Sequence, residues 1–155
     1  MFHFGAFFHK QLDTMWNDID YMDQFKIFTL DPVNYPELEM KKFVAELHAN
    51  HQQYIVIVDP GVKVEKGFPL FDELVQKGLA IKKSDGKTPI VNKCWPGLAI
   101  FPDFTANATS DYWHQAIEKF YQIVPVDGLW LDMNEQVSVC AQSFQAFLSF
   151  SQVCS

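Results

Sequence analysis

The sequence predicts an α/β fold organised around a parallel sheet, and three observations carry that prediction. Tyr54-Ile55-Val56-Ile57-Val58 is an unbroken apolar run rich in β-branched residues, the mark of a strand buried on both faces. Segments with helical spacing of apolar residues lie on either side of it. A second short apolar run, Gly128 to Leu131, follows the last of those helices. Strands that alternate with helices pair in parallel, because each helix carries the chain back across the sheet.

In chain order, residues 15–19 form a short candidate strand ending in acids, with Trp16, Asp18 and Asp20 on one face by period-two alternation. Pro36 to Asn50 is a helix, because Met40, Phe43, Val44 and Leu47 recur at i, i+3, i+4 and i+7. Pro36 stands where a first-turn proline is tolerated. The strand Tyr54 to Val58 stops at Asp59-Pro60-Gly61, a turn sequence. A helix returns from Pro69 to Lys77, with Leu70, Phe71, Leu74 and Val75 inward and Gly78 at its end. Residues 79–93 read as a loop or small hairpin around Ser84-Asp85-Gly86-Lys87. Thr109 or Ser110 is expected to cap the next helix, whose stripe is Trp113, Ala116, Ile117 and Phe120. Pro125 and Asp127-Gly128 then turn the chain into its last strand.

Composition narrows the function. The chain has 155 residues, a net charge of −7 and 48% hydrophobic residues, enough to bury a core. The acidic balance argues against a nucleic-acid partner, since no lysine cluster offers a phosphate footprint. Lys41-Lys42 and Lys82-Lys83 are isolated pairs on solvated faces. The 15 phenylalanines suit a packed interior or sugar stacking. Cys94, Cys140 and Cys154 have no metal-ligand spacing and form no even-numbered disulfide framework. No run of about 18 apolar residues predicts a membrane span. The apolar start, Met1 to His9, lacks a basic region and a cleavage site, so it makes a poor signal peptide.

The stretch on which the chain turns is Gly128-Leu129-Trp130-Leu131-Asp132-Met133-Asn134-Glu135. It delivers a carboxylate, Asp132, at the carboxyl end of a strand, where parallel sheets mount ligands and catalytic groups. Trp130 lies two residues earlier and points the same way. An indole beside a carboxylate gives a sugar ring an apolar platform and gives positive charge at the anomeric carbon an anion to meet. A strand-end Asp that merely caps the next turn is the alternative for any single Asp.

This octapeptide resembles the nucleophile signature of glycoside hydrolase family 31, the α-glucosidase family. Met15-Trp16-Asn17-Asp18-Ile19-Asp20-Tyr21-Met22-Asp23 is similar to that family's Trp-x-Asp-x-Asp-Tyr strand end. Phe28-Thr29-Leu30-Asp31-Pro32, Val58-Asp59-Pro60-Gly61, Trp95-Pro96-Gly97 and Phe101-Pro102-Asp103-Phe104 follow in the family's order and spacing. The resemblance implies a segment of an eight-stranded β/α (TIM-type) barrel, about strands 2–4, covering residues 12–135. A closed barrel needs about 250 residues, so the chain is expected to be a partial barrel.

The resemblance also implies roles. Asp132 would be the nucleophile of a retaining glycosidase. Asp18 and Asp59 would hold sugar hydroxyls, and Trp95, Trp130 and Met133 would line the same subsite. The substrate would be an oligosaccharide or α-glucoside with terminal α-linked glucose, hydrolysed without cofactor or metal. Asp-Ile-Asp-Tyr at 18–21 is closer to the α-glucosidase branch than to the α-xylosidase branch. Asp20 and Asp103 are expected to satisfy turns, Trp113 to be core, and His48 and His51 to favour a helix dipole.

Two regions depart from the family pattern. Residues 1–11 are atypical. Residues 136–155 carry no charge, and nine of these twenty are Ser or Gln. The tail is expected to come from a shifted frame or an intron, with an amphipathic partner-binding helix (Cys140, Phe144, Phe147, Leu148) as the competing reading. No acid/base Asp follows Glu135, so the chain alone is expected to be inactive. The alternative is a non-catalytic sugar-binding or partner chain derived from the same domain. Asn107-Ala108-Thr109 is a glycosylation sequon that fits a secreted or lumenal parent, but it leaves location open.

Overall fold

The computed structural model describes residues 12–134; the atypical start and the charge-free tail lie outside them. Three strands, β1 (Thr14–Asn17), β2 (Gln53–Val58) and β6 (Gly128–Leu131), form a parallel sheet in the order β1-β2-β6. Trp16 is level with Ile55, Ile55 with Gly128, and Val58 with Leu131. The continuous run at 54–58 is therefore the central strand, as its two-sided apolar character requires.

Alternation gives that sheet two unlike faces. Tyr54, Val56 and Val58 are all but fully buried. Helix α1 (Glu37–Ala49) lies against β2, burying Met40, Val44 and Leu47, with Phe43 edge-on to Tyr54 at 5.5 Å between ring centroids. Helix α3 (Asn107–Ile123) adds Tyr112, Ala116 and Phe120, and Phe120 stacks near both Tyr21 and Phe28. The buried phenols are satisfied: Tyr21 Oη donates to Ile57 O, Tyr54 Oη to Asn17 Oδ1 and Tyr112 Oη to Leu70 O. Trp113 packs edge-on to Phe28 and Phe104, as a core residue would. Lys41 and Lys42 pair with Glu37 and Glu39 on the exposed side of α1.

The sequence gives no sign of a second sheet. Strands β3 (Val62–Lys63), β4 (Val91–Cys94) and β5 (Gly97–Ile100) pair antiparallel in the order β3-β5-β4. The hairpin expected around residues 84–87 is present, with Asp85 accepting from Lys87 N, Thr88 N and Thr88 Oγ1. Val91 to Cys94, however, is strand rather than loop.

Three local expectations fail. β1 ends at Asn17, because Asp18 accepts from Ile19 N and starts a 3-10 turn over Ile19–Tyr21, which takes Asp20 off the shared face. In α2 (Pro69–Gln76), Leu74 is buried but Val75 is 44% exposed, at the margin of the stripe rather than inside it. Helix α3 starts earlier than Thr109 or Ser110 allows: Ala106 is its N-cap, without a side-chain hydrogen bond. Thr109 is buried in the first turn and its Oγ1 has no partner.

Candidate active site

The face opposite α1 carries Thr14 and Trp16, Ile55 and Ile57, and Gly128 and Trp130, by the register of the three strands. One step beyond the strand ends, the same parity belongs to Asp18, Asp59 and Asp132. Since Val58 is level with Leu131, Asp59 and Asp132 emerge next on adjacent strands, which run about 4.8 Å apart. Asp18 follows Asn17, which is level with Val56, so it stands two residues lower, at the level of Ile57, and its charge still acts on Asp59.

Their surroundings differ. Asp18 and Asp132 are exposed, whereas Asp59 is 3% exposed and its Oδ1 has no hydrogen-bond partner. Burial first, then the charges of Asp132 and Asp18, push the Asp59 carboxyl up to about 6. Tyr21, behind β2, is raised by burial, then Tyr54, then Asp59. On the far side, the Cys94 thiol is raised by burial and more weakly by Asp59, so the end of β4 also faces this carboxyl.

Below the carboxyls lies an apolar cleft lined by Thr14, Trp16, Ile55 and Trp130. Trp16 and Trp130 meet edge-to-face, with centroids 5.3 Å apart and planes at 86°. They are 60% and 36% exposed in this segment, on the face that a closed barrel turns inward. Trp16 is the site residue that sequence reasoning missed. Its signal was present, since Trp16 precedes Asp18 by two residues just as Trp130 precedes Asp132.

Met133, after Asp132, has φ +57°. A non-glycine residue in the left-handed region costs on the order of 1 kcal/mol or more, and such strain gathers at functional sites. Here it turns the chain sharply after the carboxylate. At the other end of β6, Asp127 Oδ2 accepts from both Tyr54 N and His48 Nε2, each at 2.8 Å. The backbone adds Asp127 N to Tyr54 O at 2.8 Å. These contacts hold β6 in register, so they also decide which side chain emerges beside Asp59. His48 thus serves the strand; His51 lies past the helix at φ +59°.

Trp95 is placed less directly. It occupies the β4–β5 turn at 57% exposure and makes no ring pair with Trp16 or Trp130 among the described residues. Only its neighbour Cys94 connects that turn to Asp59. Asp103 is turn-bound, accepting from Thr105 N and Oγ1. The sequon opens α3 rather than lying in a loop, with Asn107 exposed and Thr109 buried. No described helix is long and apolar enough to cross a membrane.

Comparison with known proteins identifies the family. The model of the glycosyl hydrolases family 31 TIM-barrel domain matches residues 8–152. The chain is 44% identical over 127 residues to an alpha-glucosidase of Hordeum vulgare, covering 80% of this chain and 14% of that protein. It is 42% identical over 130 residues to alpha-xylosidase 1 of Arabidopsis thaliana, covering 84% of this chain and 14% of that one. Among solved structures, a glucosidase II alpha subunit superposes with a TM-score of 0.74 at 31% identity, over 80% of this chain and 13% of the other. A family 31 alpha-glucosidase from Bacteroides thetaiotaomicron gives 0.70 at 35% identity, over 80% and 20%. The chain thus spans about one seventh of the relatives it matches. With three parallel strands and no closed barrel among the described residues, it belongs to glycoside hydrolase family 31 as a segment of that family's TIM barrel.

Proposed function

We propose that the chain is the nucleophile-bearing segment of a retaining α-glucosidase-like enzyme that releases terminal α-linked glucose from oligosaccharides. Asp132 attacks the anomeric carbon, forming a glycosyl ester that water later opens. The observation that carries this is the exposed carboxyl of Asp132 at the end of β6, above the Trp16–Trp130 cleft. Asp18, Asp59, Trp95, Trp130 and Met133 form the sugar subsite around it. The preference for glucose over xylose rests on Asp-Ile-Asp-Tyr at 18–21; the alpha-glucosidase and the alpha-xylosidase, at 44% and 42% identity, do not separate the two.

Retaining hydrolysis needs a second carboxyl to protonate the leaving oxygen. Residues 136–155 carry no Asp or Glu to serve as that group. The 155-residue chain by itself is therefore expected not to turn over. Incubation with 5-fluoro-α-glucosyl fluoride tests the nucleophile separately, because fluoride leaves without an acid. A mass-spectrometric adduct on the Asp132 peptide, absent from Asp132→Asn, is expected. No adduct, or one elsewhere, overturns the assignment. Hydrolysis of 4-nitrophenyl α-glucoside by the chain, lost in Asp132→Asn, would overturn the predicted inactivity.

The exposed rings of the Trp16–Trp130 cleft favour one other reading, a sugar-binding chain without catalysis. Saturable quenching of tryptophan fluorescence by maltose, without any adduct on Asp132, would support it; a flat titration would remove it.

A further inference from the structure

The Asp59–Asp132 arrangement has an electrostatic consequence. Two carboxyls leave adjacent strands at one level, where ionising both is costly. Asp132 lies open to water, whereas Asp59 is 3% exposed with Oδ1 unpartnered, so a charge is the costlier on Asp59. Among the described residues, the groups coupled to Asp59 by charge are Asp132, Asp18, Tyr21 and Cys94, and none of these is a cation. Among the described residues no ion pair reaches it, and no three acidic, His or Cys side chains are grouped to hold a metal ion.

We propose that Asp59 is a positioning residue for Asp132: when the pair carries a single negative charge, Asp59 is the member that holds the proton, so that this charge sits on the exposed carboxylate that attacks. This rests on Asp132 being the nucleophile and extends that reading. Asp59 transfers nothing to the substrate. When Asp132 becomes an ester its charge is gone, and Asp59 then loses its proton more readily, to solvent. Hydrolysis of the ester restores the charge on Asp132 and the proton on Asp59. The protonation of Asp59 thus follows the covalent state of its neighbour. Its raised proton affinity, from burial first and Asp132 second, agrees.

The test is carboxyl 13C NMR of the 155-residue chain labelled at aspartate Cγ, between pH 3 and 8. The expected result is one carboxyl titrating at about 6, missing from Asp59→Asn. Asp132→Asn, which removes the neighbouring charge as the ester does, lowers that midpoint by on the order of one pH unit. Two results overturn the proposal: no carboxyl titrating above about pH 5, a poorly folded sample included, or a midpoint that Asp132→Asn leaves in place. The experiment needs no turnover. A failed trapping experiment with an intact NMR coupling therefore refutes only the nucleophile, and the converse refutes only the proton-holding role.

Discussion

The two faces of the parallel sheet use the same three strands for different ends. On the helix side, Tyr54, Val56 and Val58 are buried and every buried phenol has a partner. On the opposite side, Trp16 and Trp130 stay open and a carboxyl is enclosed without a hydrogen bond on one oxygen. The first face gains stability through apolar area removed from water. The second buries Ile57 but leaves two indoles uncovered in this segment, on the side that a closed barrel turns inward.

The sharpest way to break the contrast is to delete one ring from each face. Phe120→Ala, from the helix side, is expected to cost about 3–5 kcal/mol in urea unfolding. Trp16→Ala, 60% exposed, is expected to cost less than about 1 kcal/mol. Equal losses would show that both faces serve the core.

A second effect comes from pH. The Asp59 carboxyl rises from an ordinary 3.8 to about 6 in the fold, so the folded state binds the proton more tightly than the unfolded chain does. That contribution is complete below about pH 4 and fades as pH rises through about 6. Asp59→Asn should flatten this interval and raise stability at pH 7 by up to about 3 kcal/mol. Unfolding midpoints measured at pH 4 and pH 7 for both proteins check the sign.

The smaller effect sits at the foot of β6. Asp127→Ala leaves Tyr54 N and His48 without their shared acceptor and should cost about 1–3 kcal/mol. Amide exchange at Tyr54 should speed up with it. Unchanged exchange would mean that the backbone pairing alone holds the register.

How much of this was legible in the sequence depended on how local the signal was. The run at 54–58 and the stripe of α1 specify their elements within one window, so β2 and the helix over it were readable. The motif strands β1 and β6 were readable too, and with them Asp18, Asp59 and Asp132. The β3-β5-β4 sheet was not: its strands are two to four residues long and Asn92 and Lys93 interrupt the apolar pattern. Their pairing comes from residues far apart in the chain, such as Val62 with Ile100. Trp95-Pro96-Gly97 was read as a motif, although it is also the turn that makes β4 and β5 a hairpin. Burial of Asp59 was equally out of reach, because no residue next to it in the chain signals it.

The Asp127 contact also says something about the order in which this chain folds. It joins residues 73 apart in sequence, whereas Tyr54 Oη and Asn17, between β2 and β1, are 37 apart. Loop-closure entropy opposes the longer link more strongly, and topologies rich in such links fold slowly. β1, α1 and β2 form one continuous stretch and can assemble before the rest. β6 has to wait for the antiparallel excursion and α3 to be threaded between. By loop closure alone, the strand that carries Asp132 is the costlier of the two outer strands to bring to β2, by about 0.6 kcal/mol for a doubling of loop length.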